Sequence, residues 1–305
     1  MVTSNVAHLR VGGAGPEAGF PVSYHKGGIG GASARFFMRV PGSFFLENLI
    51  ARRQLLYQMV RRDFEQRYVG SAAGWLWGLI HPLVLLACWI FVFDICLAVK
   101  LPRGEVTDNY AVFLMCGFLP WLLFQETIQR ASASLVENAN LITKTIFPAE
   151  MIPVAIFLSA FLGHLMTLGL VVALTAILVR QLSPMLVLLP VHMLVLALLA
   201  VGIAWLVSSL HVYLRDTAQV VVLVLTLWFW LTPIFISEAF YPREVRFLLR
   251  WNPMAYLVRA YRERLLSARW PDWEEMVFPL AMALAAFLLG GLTFRHLKRG
   301  FADVL

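Results

Sequence analysis

The sequence predicts an all-α integral membrane protein: an amphipathic helix at the membrane surface, six transmembrane helices, and two short re-entrant helices before the last span. Three observations predict it. Hydrophobic residues make up 60% of the 305 and charged residues only 14%, where soluble domains hold roughly half and a quarter; mean hydropathy is +0.75. Several nearly uncharged stretches reach the ~20 residues that a helix needs to cross a hydrocarbon core. Those stretches are uniformly apolar, whereas barrel strands are shorter and alternate.

Residues 1–43 are rich in Gly, Ala and Ser, with "VGGAGPEAG" and "HKGGIGGASAR" but no apolar core. Such a composition does not offset the entropy of ordering and predicts a flexible cytoplasmic tail. Residues 44–70 form the amphipathic interfacial helix. Leu46, Leu49, Ile50, Leu56, Tyr57, Val60 and Phe64 fall on one face, while Arg52, Arg61, Arg62 and Glu65 lie away from it. The pattern places the apolar face in lipid and the arginines among headgroups.

The six-span body, residues 71–305, begins where "YQMVRRDFEQRYVGSAAGWLWGLIHP" turns from charged to Gly- and Trp-rich. Gly70, Gly74 and Gly78 permit either a bend from surface helix to span or close approach of a second backbone. Spans are expected at about 76–98, 110–130, 152–179, 185–210, 217–236 and 275–294. An even number puts both chain ends on one side. Arg52, Arg53, Arg61, Arg62 and Arg67 before the first span, with Arg295, Lys298 and Arg299 after the sixth, make that side cytoplasmic. The net charge of +7 therefore reads as topology and not as affinity for nucleic acid.

One segment runs against this pattern. Residues 237–274 should face outward, yet they contain Arg243, Arg246, Arg250, Arg259, Arg262, Arg264 and Arg269. Two short amphipathic pieces flank "WNP", namely Val245, Leu248 and Leu249, then Met254, Leu257, Val258, Tyr261 and Leu265. They predict two half-embedded helices meeting at a proline turn, with their arginines toward water or headgroups.

The spans are poor in chemistry. Asp94, Glu126, Arg130, His164 and His192 are the principal ionisable groups, and Glu126 and Arg130 sit four apart on one helix face. The two histidines read as packed neutral imidazoles. Cys88, Cys96 and Cys116 lack metal-ligand spacing. No catalytic set converges, and Lys144-Thr145 lacks the glycines of a phosphate loop. A membrane-embedded glycan-processing enzyme would need carboxylates that converge, and no such pair reads out of the sequence. The energy source is expected on another chain.

Arg67-Tyr68, Gly70-Ser71, Gly74, Trp77 and Pro82 resemble the entry signature of permease subunits of type-2 ABC polysaccharide exporters, closest to the O-antigen branch. The likeness continues through Leu119-Pro120-Trp121, "NANLITKTIFPAEMIP", Arg215-Asp216, Thr232-Pro233 and "NPMAYLVRAYRERLL". Val69 and His81 depart from the family's usual residues. Capsule or teichoic acid export, and a type-2 exporter of drugs or small lipids, are the neighbouring alternatives. The resemblance implies a homodimer in the bacterial inner membrane, bound to two ATP-binding cassette subunits that carry ATP and Mg, and no cofactor or metal on this chain.

Residue roles follow from the same resemblance. Asn140, Leu141, Ile142, Lys144 and Phe147, with Arg215 and Asp216, are expected to couple to the ATPase. Asn252, Pro253, Tyr256, Tyr261 and Arg262 belong to the gate helices. Arg52, Arg53, Arg61, Arg62 and Arg67 can attract either the diphosphate of a lipid-linked glycan or ordinary anionic headgroups, and Arg67 lies next to the hinge. Trp75, Trp77, Trp121, Trp228, Phe229 and Trp230 can stack on sugars along a channel or form interfacial belts; Trp228 to Trp230 lie deeper in their span.

Overall fold

The computed structural model describes residues 51–67, 69–70, 74–144, 147–180 and 183–305. The expected tail (1–43), the start of the interfacial helix, Tyr68 and Ser71 lie outside the described residues. All regular structure among the described residues is helical.

Helix α1 (Arg53–Gln66) carries the charged half of the opening stretch. Leu56 and Met59 pack against the bundle core, and α1 runs along a later helix, Met151–Val179. The sequence placed this apolar face in lipid; part of it is instead covered by protein. Two glycines then turn the chain. Gly70 and Gly74 adopt positive φ of 78° and 52°, and a Cβ on either would meet nothing within 4 Å. At these two positions glycine serves the bend and not a close contact, because left-handed backbone is costly for other residues.

Helix α2 (Trp77–Ile90) follows a short 3-10 turn and runs on into a wider π-type turn, Phe91–Cys96. The central post is α3 (Tyr110–Glu137), capped by Asn109, whose side chain accepts from the Val112 N–H. It is the most buried of the long helices and touches most of the others. After α3 come the short α4 (Ala139–Lys144), then α5 (Met151–Val179) and α6 (Leu189–Tyr213), the last entered through Pro184–Leu188. Helix α6 packs most extensively against α10 (Trp273–Leu297). Gly202 and Gly290 meet there so closely that a Cβ on either would overlap the other helix's backbone. Small residues allow that approach.

Five helices among the described residues are long and apolar enough to cross a membrane: Gly74–Cys96, Tyr110–Glu137, Met151–Val179, Pro184–Tyr213 and Trp273–Gly300. The expected span at 217–236 differs. Its helix, α7 (Thr217–Leu231), ends after 15 residues, about 22 Å at 1.5 Å per residue, shorter than a ~30 Å hydrocarbon core. Thr232 is extended, with φ −97° and ψ 135°, as expected before Pro233. Residues 232–235 continue as buried, non-helical backbone.

Two short helices follow, α8 (Arg246–Arg250) and α9 (Pro253–Leu266). Met254, Leu257, Val258, Tyr261 and Leu265 are wholly buried, and α9 packs against α3, α6 and α10. Two arginines depart from the water-facing expectation, since Arg262 and Arg264 are buried. Distant parts of the chain supply the partners of Arg262, whereas Arg264 finds its own nearby, in Glu263, the Arg269 carbonyl and Glu275. The bundle ends with α11 (Phe301–Val304), which touches α4 and α6.

Candidate functional site

Backbone that leaves a helix inside a bundle exposes carbonyls that need donors. Arg262 supplies them. Its Nη1 donates to Pro233 O at 2.7 Å, its Nη2 to Ile234 O at 2.5 Å and its Nε to Phe113 O at 3.1 Å. The guanidinium also lies 3.5 Å from the Phe113 ring centroid. Asn252 fixes the other side of the break. Its Oδ1 accepts from the Trp228 indole N–H at 2.8 Å and from Met254 N–H at 3.0 Å, and its Nδ2 donates to Thr232 Oγ1 at 3.0 Å. Tyr110 Oη donates to Phe235 O. The "WNP" segment and α9 thus hold the broken end of α7.

The other gate residues occupy the same region. Pro253 opens α9, and Tyr256 is partly buried against Phe278. Tyr261 is fully buried and pairs through its hydroxyl with His164 Nε2 at 3.1 Å. Burial, with Glu275 nearby, holds the Glu263 carboxyl above the usual carboxylate range, and Arg264 donates to it at 2.7 Å.

A cavity of about 540 Å³ opens between α2, α3, α5 and α7. Pro82, Leu85, Trp89, Phe118, Leu122 and Phe229 make much of its wall apolar, and Trp77, His81 and His164 also line it. Its charged margin holds Arg67, Glu126 and Arg130. Arg67 Nη1 lies 2.6 Å from Glu126 Oε1, and Arg130 Nη2 donates to both Asp63 oxygens at 2.7 and 2.8 Å. Longer contacts of 3.6 Å close the ring between Arg67 and Asp63 and between Arg130 and Glu126. Buried Nε and Nη2 of Arg67 and Nη1 of Arg130 have no hydrogen-bond acceptor. A second, polar cavity of about 310 Å³ shares Gln129 and Arg130 with the first and adds Arg62, Asp63, Gln66, Glu137 and Asn138. An apolar chamber and a polar one therefore meet at Arg130.

The expected arginines divide by environment. Arg67 lines the first cavity and Arg62 the second, while Arg62, like Arg52, Arg53 and Arg61, is an exposed residue. Arg61 spends its guanidinium on Glu65 at 2.7 Å. The aromatics divide too. Trp77 and Phe229 line the apolar cavity. Trp121, expected along a channel or in an interfacial belt, is fully buried and donates to Gln125 Oε1 at 2.6 Å. Trp228 is held by Asn252, while Trp75 and Trp230 are about half exposed on the outside.

At the end of the bundle marked by the last turn of α3, α4 presents Asn140 and Lys144 outward, while Ile142 and Phe147 pack toward the core and Leu141 is partly covered. Arg215 and Asp216 are exposed in the turn between α6 and α7. Sequence reasoning overlooked Asp63, Gly117 and the pair Glu150–Lys298. The i,i+4 spacings Asp63–Arg67 and Glu126–Arg130 were the available signal for the first.

The family model described as ABC-2 type transporter matches residues 54–266. The chain is 27% identical over 254 residues to "O-antigen export system permease protein RfbA" of Klebsiella pneumoniae, covering 82% of this chain and 95% of that one. It is 25% identical over 260 residues to the protein of the same description from Myxococcus xanthus, covering 85% and 98%.

Proposed function

The chain belongs to the ABC-2 type transporter family, and on that premise we propose that it is the permease subunit through which lipid-linked O-antigen polysaccharide leaves the cytoplasm across a bacterial inner membrane. The observation that carries this reading is the junction of the two cavities at Arg130. A lipid-linked glycan has an apolar tail, an anionic phosphoryl linker and a polar sugar chain, in that order. Apolar walls suit the tail, the guanidinium groups of Arg67 and Arg130 suit phosphoryl oxygens, and the polar chamber suits the first sugars. Trp77 and Phe229 offer flat faces to a passing chain. The names of the relatives, both described as O-antigen export permeases, support the choice of cargo.

In this reading the subunit is a conduit and not an enzyme. Two copies assemble with two ATP-binding subunits, which hold ATP and Mg and dock on α4 through Asn140, Leu141, Ile142 and Lys144 and on Phe147 beyond it, with Arg215 and Asp216 as further coupling residues. The five long helices make five crossings. Helix α7, extended by the buried segment 232–235, makes the sixth, so the segments before α1 and after α10 share the cytoplasmic side. The α8–α9 pair forms the outer gate.

The test is transport in inverted membrane vesicles. Co-expressed with an O-antigen ATP-binding subunit, the chain should drive ATP-dependent uptake of a polyprenyl-diphosphate-linked glycan. Uptake without that subunit, or ATP-driven movement of small amphiphilic drugs in place of glycan, would refute the assignment.

A further inference from the structure

We propose that Glu150 and Lys298 are positioning residues that tie α4 to the segment following α10, so that a displacement of α4 reaches α5, α6 and α10 together. This rests on the reading of α4 as the docking element for an ATP-binding subunit. It adds a second segment, Lys298–Leu305, that takes part in transmission without being a docking element itself.

Glu150 immediately precedes α5 and follows α4 by a short connection. Its side chain is 2% exposed, and Lys298 Nζ lies 2.5 Å from Oε2. A buried carboxylate that meets a partly exposed ammonium from 148 positions away is a specific tie between the start of α5 and the segment after α10. The same residue is anchored a second time, since the Trp205 indole N–H of α6 donates to Glu150 O at 3.0 Å.

Around Lys298 the fixation continues. Tyr213 Oη, at the end of α6, donates to Leu297 O at 2.8 Å. The same hydroxyl fills the place where a side chain at Gly300 would project. Phe301 is 1% exposed, with its ring 5.5 Å from Phe294 and 6.2 Å from Tyr213. The helix it begins, α11, touches α4, whose Ile142 packs against the core that includes Phe301. Elements far apart in sequence thus converge at one end of the bundle, and Glu150–Lys298 is their ionic link.

The experiment measures glycan exported per ATP hydrolysed by the full chain assembled with its ATP-binding subunit. Lys298→Met should leave assembly and ATP hydrolysis within about twofold and lower that ratio by about tenfold. Lys298→Arg, which keeps the cation, should stay near wild type. The double variant Glu150→Gln/Lys298→Met removes both charges together, and should assemble yet remain uncoupled. A wild-type ratio in Lys298→Met or in the double variant overturns the proposal. So does loss of assembly in both, which would assign the pair to folding alone. If the unaltered chain neither binds the ATP-binding subunit nor exports glycan with it, the functional reading itself fails, a separate result.

Discussion

Gly117 and Arg262 are shaped for one another: the guanidinium of Arg262 occupies the volume that any side chain at position 117 would need. Helix α3 lacks a Cβ where a cation from α9 reaches across to the carbonyls of Phe113, Pro233 and Ile234. The interruption of α7 depends on that fit.

Gly117→Ala should therefore act through Arg262 and not through α3 itself. Displacing the guanidinium strands buried carbonyls at ~1–3 kcal/mol each, a cost that exceeds the small gain in helix propensity from alanine. Thermal unfolding in detergent should show both Gly117→Ala and Arg262→Leu well below wild type. Combined, they should cost less than the sum of the single effects, because the second change finds its interaction already lost. Arg262→Lys should not rescue, since one ammonium cannot reproduce the planar fork. Full additivity would refute the coupling.

Trp228 and Trp230 separate two roles. Trp228→Leu removes the donor to Asn252 and should lower stability by about 1–2 kcal/mol, non-additively with Asn252→Ala. Trp230 is 54% exposed, and Trp230→Leu should leave the unfolding midpoint unchanged. A double-mutant cycle on 228 and 252 measures the first; a midpoint shift for Trp230→Leu would contradict the second.

The arginines should rank by their place in the fold. Arg67→Ala and Arg130→Ala remove charge-assisted donors from the cavity margin, and each should slow export of lipid-linked glycan by about tenfold or more. Arg52→Ala and Arg53→Ala, on exposed positions, should have small effects that fade at high salt. Export assays in matched vesicles decide it, and equal effects from all four would mean a diffuse headgroup attraction.

Charge reversal on the outward face of α4, as in Lys144→Glu, should reduce export while the bundle melts at its usual temperature. Ile142→Ala should do the opposite first, lowering the melting temperature, because Ile142 packs against the core. Export of glycan by Lys144→Glu at the wild-type rate would remove α4 from the coupling surface.

The apolar runs made the long helices legible. The expected second span, at about 110–130, lies within Tyr110–Glu137, and hydropathy alone carries that. At 217–236 the helix is shorter than the expected span, because apolar residues continue past Leu231 while helical geometry does not. Pro233 was visible, but the donor that makes the break tolerable comes from α9, 29 residues on. The buried Arg262 was misread for the same reason. An arginine's surroundings are set by partners that sequence spacing does not show, here Phe113, 149 residues away. Within the cavity margin, the two i,i+4 pairs were readable, but the Asp63–Arg130 bond that joins them spans 67 residues. Aromatic identity likewise did not distinguish Trp121, fully buried, from Trp230, half exposed.

Arg67 and Arg130 face Asp63 and Glu126, two positive groups against two negative ones, so the resting quartet is electrically neutral. An idle exporter that displayed naked cations at this depth would invite small anions to leak through. In the proposed reading the carboxylates stand in for the cargo, so a phosphoryl group must displace them from the arginines, and transport would begin as an exchange of counter-ions.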